Sequence, residues 1–477
     1  MKNIFFLSVL ILITSSVFAA TLKDVQNFVA EGKYAEAITA CNDILAQKPG
    51  NINALRWLNY SNYKLGNYDT VIESAKTVQD TEISNMAGLS FVAKGDLIEA
   101  EKAFNDSIVY DKNFVDPYIN KAQIYITNKD FANAKSYLVI ANNINPKDIK
   151  VLTNLGYVNI ELKEYDNAIA NLIKAKNINS KDQTVLTNLG NAYFSKGDYK
   201  NALKEYEALY GIDVNNQNAI VGLANTNAAL GNDKEAQKYF DILIKSNDSY
   251  NANYNMGILS KREAKFGDAT GYFAKALKAK PDDIDALNEL GWCQFKSNKS
   301  EEAIATLNKV LELSPDNITA ISYLGVIYSN INKPEDAYAN WSRCVIIAPK
   351  NADYKVNLAN SCLELDKFDE AIEAYKSALA INSKVSNANL GLACATLQKA
   401  LSVEKPNPAL INEALNSFKT ITQSEPKNVI AWNNLGVCYQ KQNKYNEALA
   451  AYKKALTINP NFAQAKSNLD ELSKVMN

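Results

Sequence analysis

A two-residue landmark recurs along this 477-residue chain at nearly constant spacing, and no other feature limits its fold as strongly. In most cases it is an apolar residue followed by Gly or Ala: Ala87-Gly88, Lys121-Ala122, Leu155-Gly156, Leu189-Gly190, Leu223-Ala224, Met256-Gly257, Leu290-Gly291, Leu324-Gly325, Leu358-Ala359, Leu390-Gly391 and Leu435-Gly436. The steps from one small residue to the next are 34, 34, 34, 34, 33, 34, 34, 34, 32 and 45. Twelve residues beyond the small residue comes a second one: Ala100, Ala134, Ala168, Ala202, Ala236, Ala269, Ala303, Ala337, Ala371 and Ala448. Self-similarity at this period marks a stacked array, in which each unit buries its apolar face against its neighbours.

The landmarks have physical reasons. Apolar residues recur at helical spacing in two blocks per unit, parted by a polar turn such as Lys196-Gly197-Asp198, so each unit is a helix–turn–helix. Gly and Ala let two helix axes approach closely. Large side chains four residues after the second small residue (Phe104, Tyr206, Phe240, Trp341, Tyr452) fill the remaining space. Pro49, Pro146, Pro281, Pro315, Pro349, Pro426 and Pro460 close many units, because Pro lacks an N–H and turns the residue before it away from helix.

The stretch Ala431-Trp432-Asn433-Asn434-Leu435-Gly436-Val437-Cys438-Tyr439, with Tyr445, Ala448, Tyr452, Ala455 and Pro460, resembles the tetratricopeptide repeat. The resemblance covers nearly all of the chain after residue 19. It implies an all-α fold: an α-solenoid of about 13 repeats in a right-handed superhelix with a C-terminal capping helix. The repeats divide as 20–51, 52–80, 81–114, 115–148, 149–182, 183–216, 217–249, 250–283, 284–317, 318–351, 352–383, 384–428 and 429–462. The second is short and carries Asn59 and Val71 at the two small positions. In the 463–477 cap, Ala465, Leu469, Leu472 and Met476 share one face. Two irregularities stand out. The repeat 352–383 is two residues short, and the twelfth holds 11 extra residues near 399–409, including Pro406 and Pro408.

Composition narrows the function. The chain has no histidine, which removes the commonest general base, the Ser-His and Cys-His nucleophile pairs and the imidazole ligands of most catalytic zinc sites. No catalytic domain remains once the repeats are marked out, so an enzyme is not expected, nor a metal or cofactor. With 51 Lys+Arg against 52 Asp+Glu and no dense basic run, nucleic acid is a poor partner. Lys2, the apolar run 4–13 broken only by Ser8, and Val17 and Ala19 ahead of Ala20 have the layout of a secretory signal peptide over residues 1–19. Ten apolar residues are too few to span a bilayer, and no later stretch approaches the roughly 20 required. An exported protein, periplasmic or secreted, is expected. Cys41, Cys293, Cys344, Cys362, Cys394 and Cys438 all fall on apolar repeat positions, so buried free thiols are favoured over disulfides.

The family resemblance also implies where a partner binds: a concave groove lined by the first helices. Asn120, Asn154, Asn188, Asn255, Asn357, Asn389 and Asn434 stand immediately before the landmark pair and form a broken ladder along it. An amide carries both a donor and an acceptor, and a row of them can hold the backbone of an extended peptide. Tyr60, Tyr157 and Phe194 are further groove aromatics. Tyr254, Lys261, Arg262, Trp292, Phe295 and Lys296 join aromatic anchors to positive charge, a combination suited to a peptide carboxylate. The expected function is a non-enzymatic scaffold of the cell envelope that binds protein or peptide segments, with components of envelope or secretion complexes as partners. The alternative is a glycan-binding solenoid in polysaccharide export or cell-wall assembly, in which Trp292 and Tyr254 stack on sugars.

Overall fold

The structure, a computed structural model, describes residues 20–246 and 249–476. Among them are 27 α-helices and no strand. They run as thirteen successive pairs, from Leu22–Ala30 with Tyr34–Gln47 to Val429–Lys441 with Tyr445–Ile458, and end on the single helix Ala463–Met476. The chain divides into two compact units, one reaching to Tyr239 and the other beginning at Phe240. The signal segment read over residues 1–19 lies outside the described residues. No helix among the described residues is long and apolar enough to cross a membrane.

Local chemistry sets the helix ends. The prolines that close a repeat are followed two residues later by a polar N-cap for the next first helix. Asn51, Asp148, Asp283, Asn317, Asn351 and Asn428 each accept a backbone N–H two or three residues on. Such a cap is typically worth about 1 kcal/mol. Inside a repeat the chain reverses through one left-handed residue. Five repeats use glycine there, as at Gly197 with φ of 85°, and seven use another residue, among them Ala264 with φ of 59°. The backbone of the turn is thus conserved where its sequence is not.

The landmark small residue is the eighth of the first helix in most repeats (the seventh in Asp116–Thr127, which starts one residue late), and it faces the residue sixteen further on, in the second helix. A Cβ on Gly88, Gly156, Gly190, Gly257, Gly291, Gly325 or Gly436 would lie 2.4–2.7 Å from Phe104, Leu172, Tyr206, Phe273, Leu307, Trp341 or Tyr452 respectively. The short contact is to the side chain itself, so the glycines are there for volume. Where the first site carries volume, the second gives it up. Val25 stands with Cys41, and Asn59 with Ala75. Asn59 is buried, and its amide donates to Leu55 O at 2.8 Å and Ser74 Oγ at 2.9 Å.

The twelfth repeat corrects the register read from sequence. Gly391 does not occupy the landmark place; Ala393 does, as the sixth residue of a helix, Ala388–Leu401, that starts two residues late. Ala393 is 1% exposed, shares a core cluster with the buried Phe418 and lies 34 residues after Ala359. A Cβ on Gly391 would instead lie 2.4 Å from Tyr375 of the preceding repeat, just as one on Gly222 would lie 2.4 Å from Tyr206. The eleventh repeat therefore keeps its full length. Ala393 and Gly436 are 43 residues apart, so the insertion is nine residues, not 11. It is shared between the segment 402–407 and a second helix, Pro408–Ser424, lengthened to 17 residues from the usual 14.

All six cysteines are unpaired; five are buried and Cys394 is half-buried. Burial pushes the thiols of Cys41, Cys293, Cys344, Cys362 and Cys394 up to about 11 and that of Cys438 up to about 12. The folded chain then holds thiol protons that the unfolded chain releases above its ordinary value of 9.0. Stability contributed by these groups is complete below pH 9 and falls as pH rises toward 11. A thiol-reactive dye at pH 8 should label the folded protein slowly, Cys394 first, and all six sites once it is unfolded. Urea midpoints should drop between pH 9 and 11, by less in a variant with Cys438→Ala.

Packing makes a second prediction. Gly156→Val should destabilise the protein by about 1–3 kcal/mol through overpacking, although Val is the better helix former. Adding Leu172→Ala, itself costly alone at about 2–5 kcal/mol, should recover part of that loss. Denaturant unfolding of the two single variants and the double variant measures the coupling; additive effects would show that the two positions do not share one volume.

Candidate functional site

First helices of neighbouring repeats touch one another. In the first unit Ile149–Glu161 meets Gln183–Lys196, which meets Gln217–Leu230; in the second, Ile284–Lys296 meets Ile318–Asn330. Within each unit the first helices thus pave a common face. The landmark residue of each turns inward to its own second helix. The residues two before and one after it, normally the sixth and ninth, lie toward that face.

The sixth position carries the predicted asparagines. Asn120, Asn154 and Asn188 occupy it on three successive repeats of the first unit, each half-buried. Asn154 and Asn188 make no side-chain hydrogen bond to any described residue. Asn120 donates to Asn85 Oδ1 at 2.9 Å. In the second unit Asn255, Asn357 and Asn434 hold the same position, also half-buried. Asn434 donates to Cys394 Sγ at 3.3 Å and accepts from Asn433 at 3.1 Å.

Asn389 does not belong to the row. It is exposed and sits two residues ahead of the position, which Gly391 fills. Conversely, Asn468 of the terminal helix stands in register and donates to Asn433 Oδ1 at 2.9 Å. Sequence reasoning missed it because the cap lies beyond the last landmark pair; its spacing of 34 from Asn434 was the available signal.

The breaks at Gly222 and Gly391 share a cause. Tyr206 is wedged between Gly190 of its own repeat and Gly222 of the next, and its hydroxyl reaches Asn191 Oδ1 at 2.7 Å. Tyr375 likewise crosses beside Gly391 and donates to Asn360 Oδ1 at 2.5 Å. Burial pushes both phenols well above the usual tyrosine range. A ring from the second-helix layer thus enters where an asparagine would otherwise stand. Beside Tyr206, a cavity of about 210 Å³ opens among Asn191, Phe194, Asn218 and Val221.

The aromatic and basic cluster of the second unit is assembled differently from the expectation. Trp292 stacks on Tyr323, centroids 4.6 Å apart, and tilts against Phe295 at 5.6 Å. Lys296 Nζ lies 5.4 Å from the Trp292 ring centre. Tyr254 stacks on Tyr250 and meets the edge of Phe273. Lys261, however, is bound by Glu289 at 2.5 Å. Burial first, then the charges of Glu289, Asp285 and Asp283, push the Tyr254 phenol up. Three carboxylates thus stand near Tyr254, with Lys280 over the adjoining Tyr250 ring at 4.2 Å, and Lys261 is already paired with Glu289 inside the protein. Arg262 is exposed at the end of its helix. Of the other predicted groove aromatics, Tyr60 contacts Trp57, Tyr157 contacts Phe131, and Phe194 contacts Tyr199. Among the described residues no group of His, Cys, Asp and Glu is placed to hold a metal ion.

Comparison with known proteins adds the family. Profiles described as tetratricopeptide repeat match residues 115–148, 149–182, 184–216, 262–325 and 429–462. A profile described as anaphase-promoting complex, cyclosome, subunit 3 matches 301–378. The peroxisomal targeting signal receptor of Kluyveromyces lactis is 35% identical over 57 residues, 12% of this chain and 10% of that receptor. The matched stretch thus spans about a tenth of the receptor's length. Two solved structures are similar in fold. YrrB, described as a tetratricopeptide-repeat protein with an unusual peptide-binding site, has a TM-score of 0.36 at 22% identity, covering 41% of this chain and 96% of its own. A tetratricopeptide-repeat protein of Parabacteroides merdae has a TM-score of 0.40 at 21% identity, covering 52% and 98%. Five stretches spread over both units are similar to the tetratricopeptide repeat, and the paired helices between and around them repeat the same helix–turn–helix unit.

Proposed function

We propose that this protein is a non-enzymatic scaffold that holds extended segments of partner proteins against the face of its first helices, outside the cytoplasm. The observation that carries this reading is the run Asn120, Asn154 and Asn188, one half-buried amide per repeat on three successive repeats. Asn154 and Asn188 keep donor and acceptor uncommitted among the described residues, and their spacing follows the stack. Such amides bond a peptide backbone whatever its side chains. The missing histidines and an array that leaves no separate domain support a role without chemistry.

The glycan alternative depends on Trp292 and Tyr254 as stacking surfaces. Trp292 is already stacked on Tyr323, and Tyr254 on Tyr250. The peptide reading is preferred for that reason. The cell-envelope setting, with envelope or secretion complexes as partners, rests on the signal-like layout of residues 1–19.

Two outcomes are expected. The protein with Asn154→Ala and Asn188→Ala should lose about tenfold or more in affinity for a captured partner, at about 1 kcal/mol for each amide bond removed. Its helicity and thermal unfolding should be unchanged; unaltered capture would sink the amide reading. Fractionation of cells expressing the intact gene should place a product beginning near Ala20 outside the cytoplasm. A cytoplasmic product that keeps Met1 would overturn export.

A further inference from the structure

The first three repeats enclose a cavity of about 610 Å³ on the face of their first helices. That volume is typical of sites that bury a small ligand or a few side chains. Trp57, Tyr60, Met86, Leu89 and Phe114 form its apolar wall. Trp57 and Tyr60 meet edge to face with centroids 5.8 Å apart, which fixes both rings.

The polar side of the cavity is carried by Arg56, Glu82, Asn85 and Asp116. Arg56 is tied to two carboxylates. Its Nε and Nη2 donate to Asp80 at 2.7–3.1 Å, and its Nη1 pairs with Glu82 at 2.8 Å. One guanidinium is thus shared by two carboxylates, which neutralise its charge and weaken its pull on an incoming anion. Asp116, at the opposite rim, forms no ion pair with a described residue, although Asp148 and Lys150 stand nearby. Counting Arg56 and Lys64 against Asp80, Glu82 and Asp116, the side chains at and beside the site carry a net charge of −1, and Lys150 and Asp148 near Asp116 cancel each other. Asn85 is only 6% exposed. Its Oδ1 accepts from Asn120, while its amide NH₂ has no hydrogen-bond partner among the described residues. A nearly buried donor therefore faces the cavity, next to the first member of the asparagine run. Lys64 Nζ lies 5.6 Å from the Tyr60 ring centre, so a cation already rests against this aromatic wall within the chain.

We infer that this cavity takes a partner segment in which a lysine or arginine is flanked by bulky apolar side chains. The cation would sit between Glu82 and Asp116, the apolar groups against Trp57, Leu89 and Phe114, and a backbone carbonyl on the Asn85 amide. The inference rests on the first-helix face being the partner-binding face, and it specifies the chemistry of one end of that face. An acidic segment is disfavoured because the one arginine present is already doubly bound.

Fluorescence anisotropy with labelled nonapeptides centred on Phe-Lys-Phe, Phe-Glu-Phe and Ala-Lys-Ala tests this on the intact protein. The Phe-Lys-Phe probe should bind at least tenfold more tightly than either of the others. Asp116→Lys should weaken it tenfold or more, and Glu82→Gln several-fold; Asp116 is an exposed helix-terminal residue, so its replacement leaves the fold intact by circular dichroism. Equal or tighter binding of Phe-Glu-Phe, or Phe-Lys-Phe binding unchanged in the Asp116→Lys protein, would overturn the inference. Running the Asn154→Ala, Asn188→Ala protein in parallel separates the two readings. If that protein loses partner capture while Asp116→Lys leaves probe binding untouched, the face stands and the cavity assignment falls. If probe binding follows Asp116 and Glu82 while the asparagine substitutions leave capture unaltered, the cavity stands and the amide row falls.

Discussion

Everything in this array depends on one steric relation. In all but the first two repeats the landmark residue of the first helix is Gly or Ala, so that a large side chain sixteen residues later can lie across its backbone. At Gly156 the Cβ that is missing would sit 2.4 Å from Leu172. Close axes follow, and with them a thin repeat whose two exposed faces must be covered by the repeats before and after. Where the first site carries a larger side chain the second carries a small one: Val with Cys at 25 and 41, Asn with Ala at 59 and 75, against Gly with Tyr at 190 and 206. Close packing of protein interiors makes such compensation necessary, since neither a void nor an overlap of a methyl group is tolerated without cost.

The same relation decides where a partner-binding face can exist. Turning the eighth residue inward leaves the sixth and ninth on the side where successive first helices meet. Those positions are free to vary as long as nothing from the core enters them. Tyr206 and Tyr375 are the two places where something does. Each ring is long enough to pass its own small residue and reach the asparagine at the ninth position, Asn191 or Asn360. The neighbouring sixth position must then be glycine. These two interruptions of the amide row are therefore dictated from the core outward.

Much of this was legible in the sequence because the core relation has a fixed spacing. Helix pairs, turns and cap followed from the small residues and prolines alone. The failures are instructive. Leu390-Gly391-Leu392-Ala393 contains two landmark pairs offset by two residues, and only the partner ring distinguishes them: Tyr375 claims Gly391 and Phe418 claims Ala393. Asn389 was drawn into the amide row by that ambiguity. Lys121 shows the opposite case, a lysine at the apolar landmark position that is nevertheless 4% exposed. It is tolerated because Nζ donates to Asn105 at 2.7 Å and Tyr137 at 2.9 Å and lies 4.3 Å from the Tyr137 ring centre. Those partners stand sixteen residues away on either side, outside any local pattern. The charge of the Tyr254 cluster was misread for a related reason. Lys261 and Glu289 are 28 residues apart in sequence, and their pairing is set by repeat stacking.

Repeats one to three differ from the rest in what they place at the sixth position. Trp57 and Met86 stand where six of the ten later repeats carry asparagine, among them the three that follow directly. The second repeat is also short: its second helix, Tyr68–Thr77, has 10 residues against the usual 14. Large side chains at the sixth position raise the walls of the face, and Phe114 with Asp116 closes the far end where the fourth repeat begins. A cavity forms there, whereas the asparagine-bearing repeats present half-buried amides in a row. The face thus changes character along the first unit, from a walled, acidic and aromatic pocket to an amide track. Asn120 joins them through its bond to Asn85. A segment anchored by its side chains at the first would be positioned to run its backbone along the second, so that specificity and reach are supplied by different repeats of one stack.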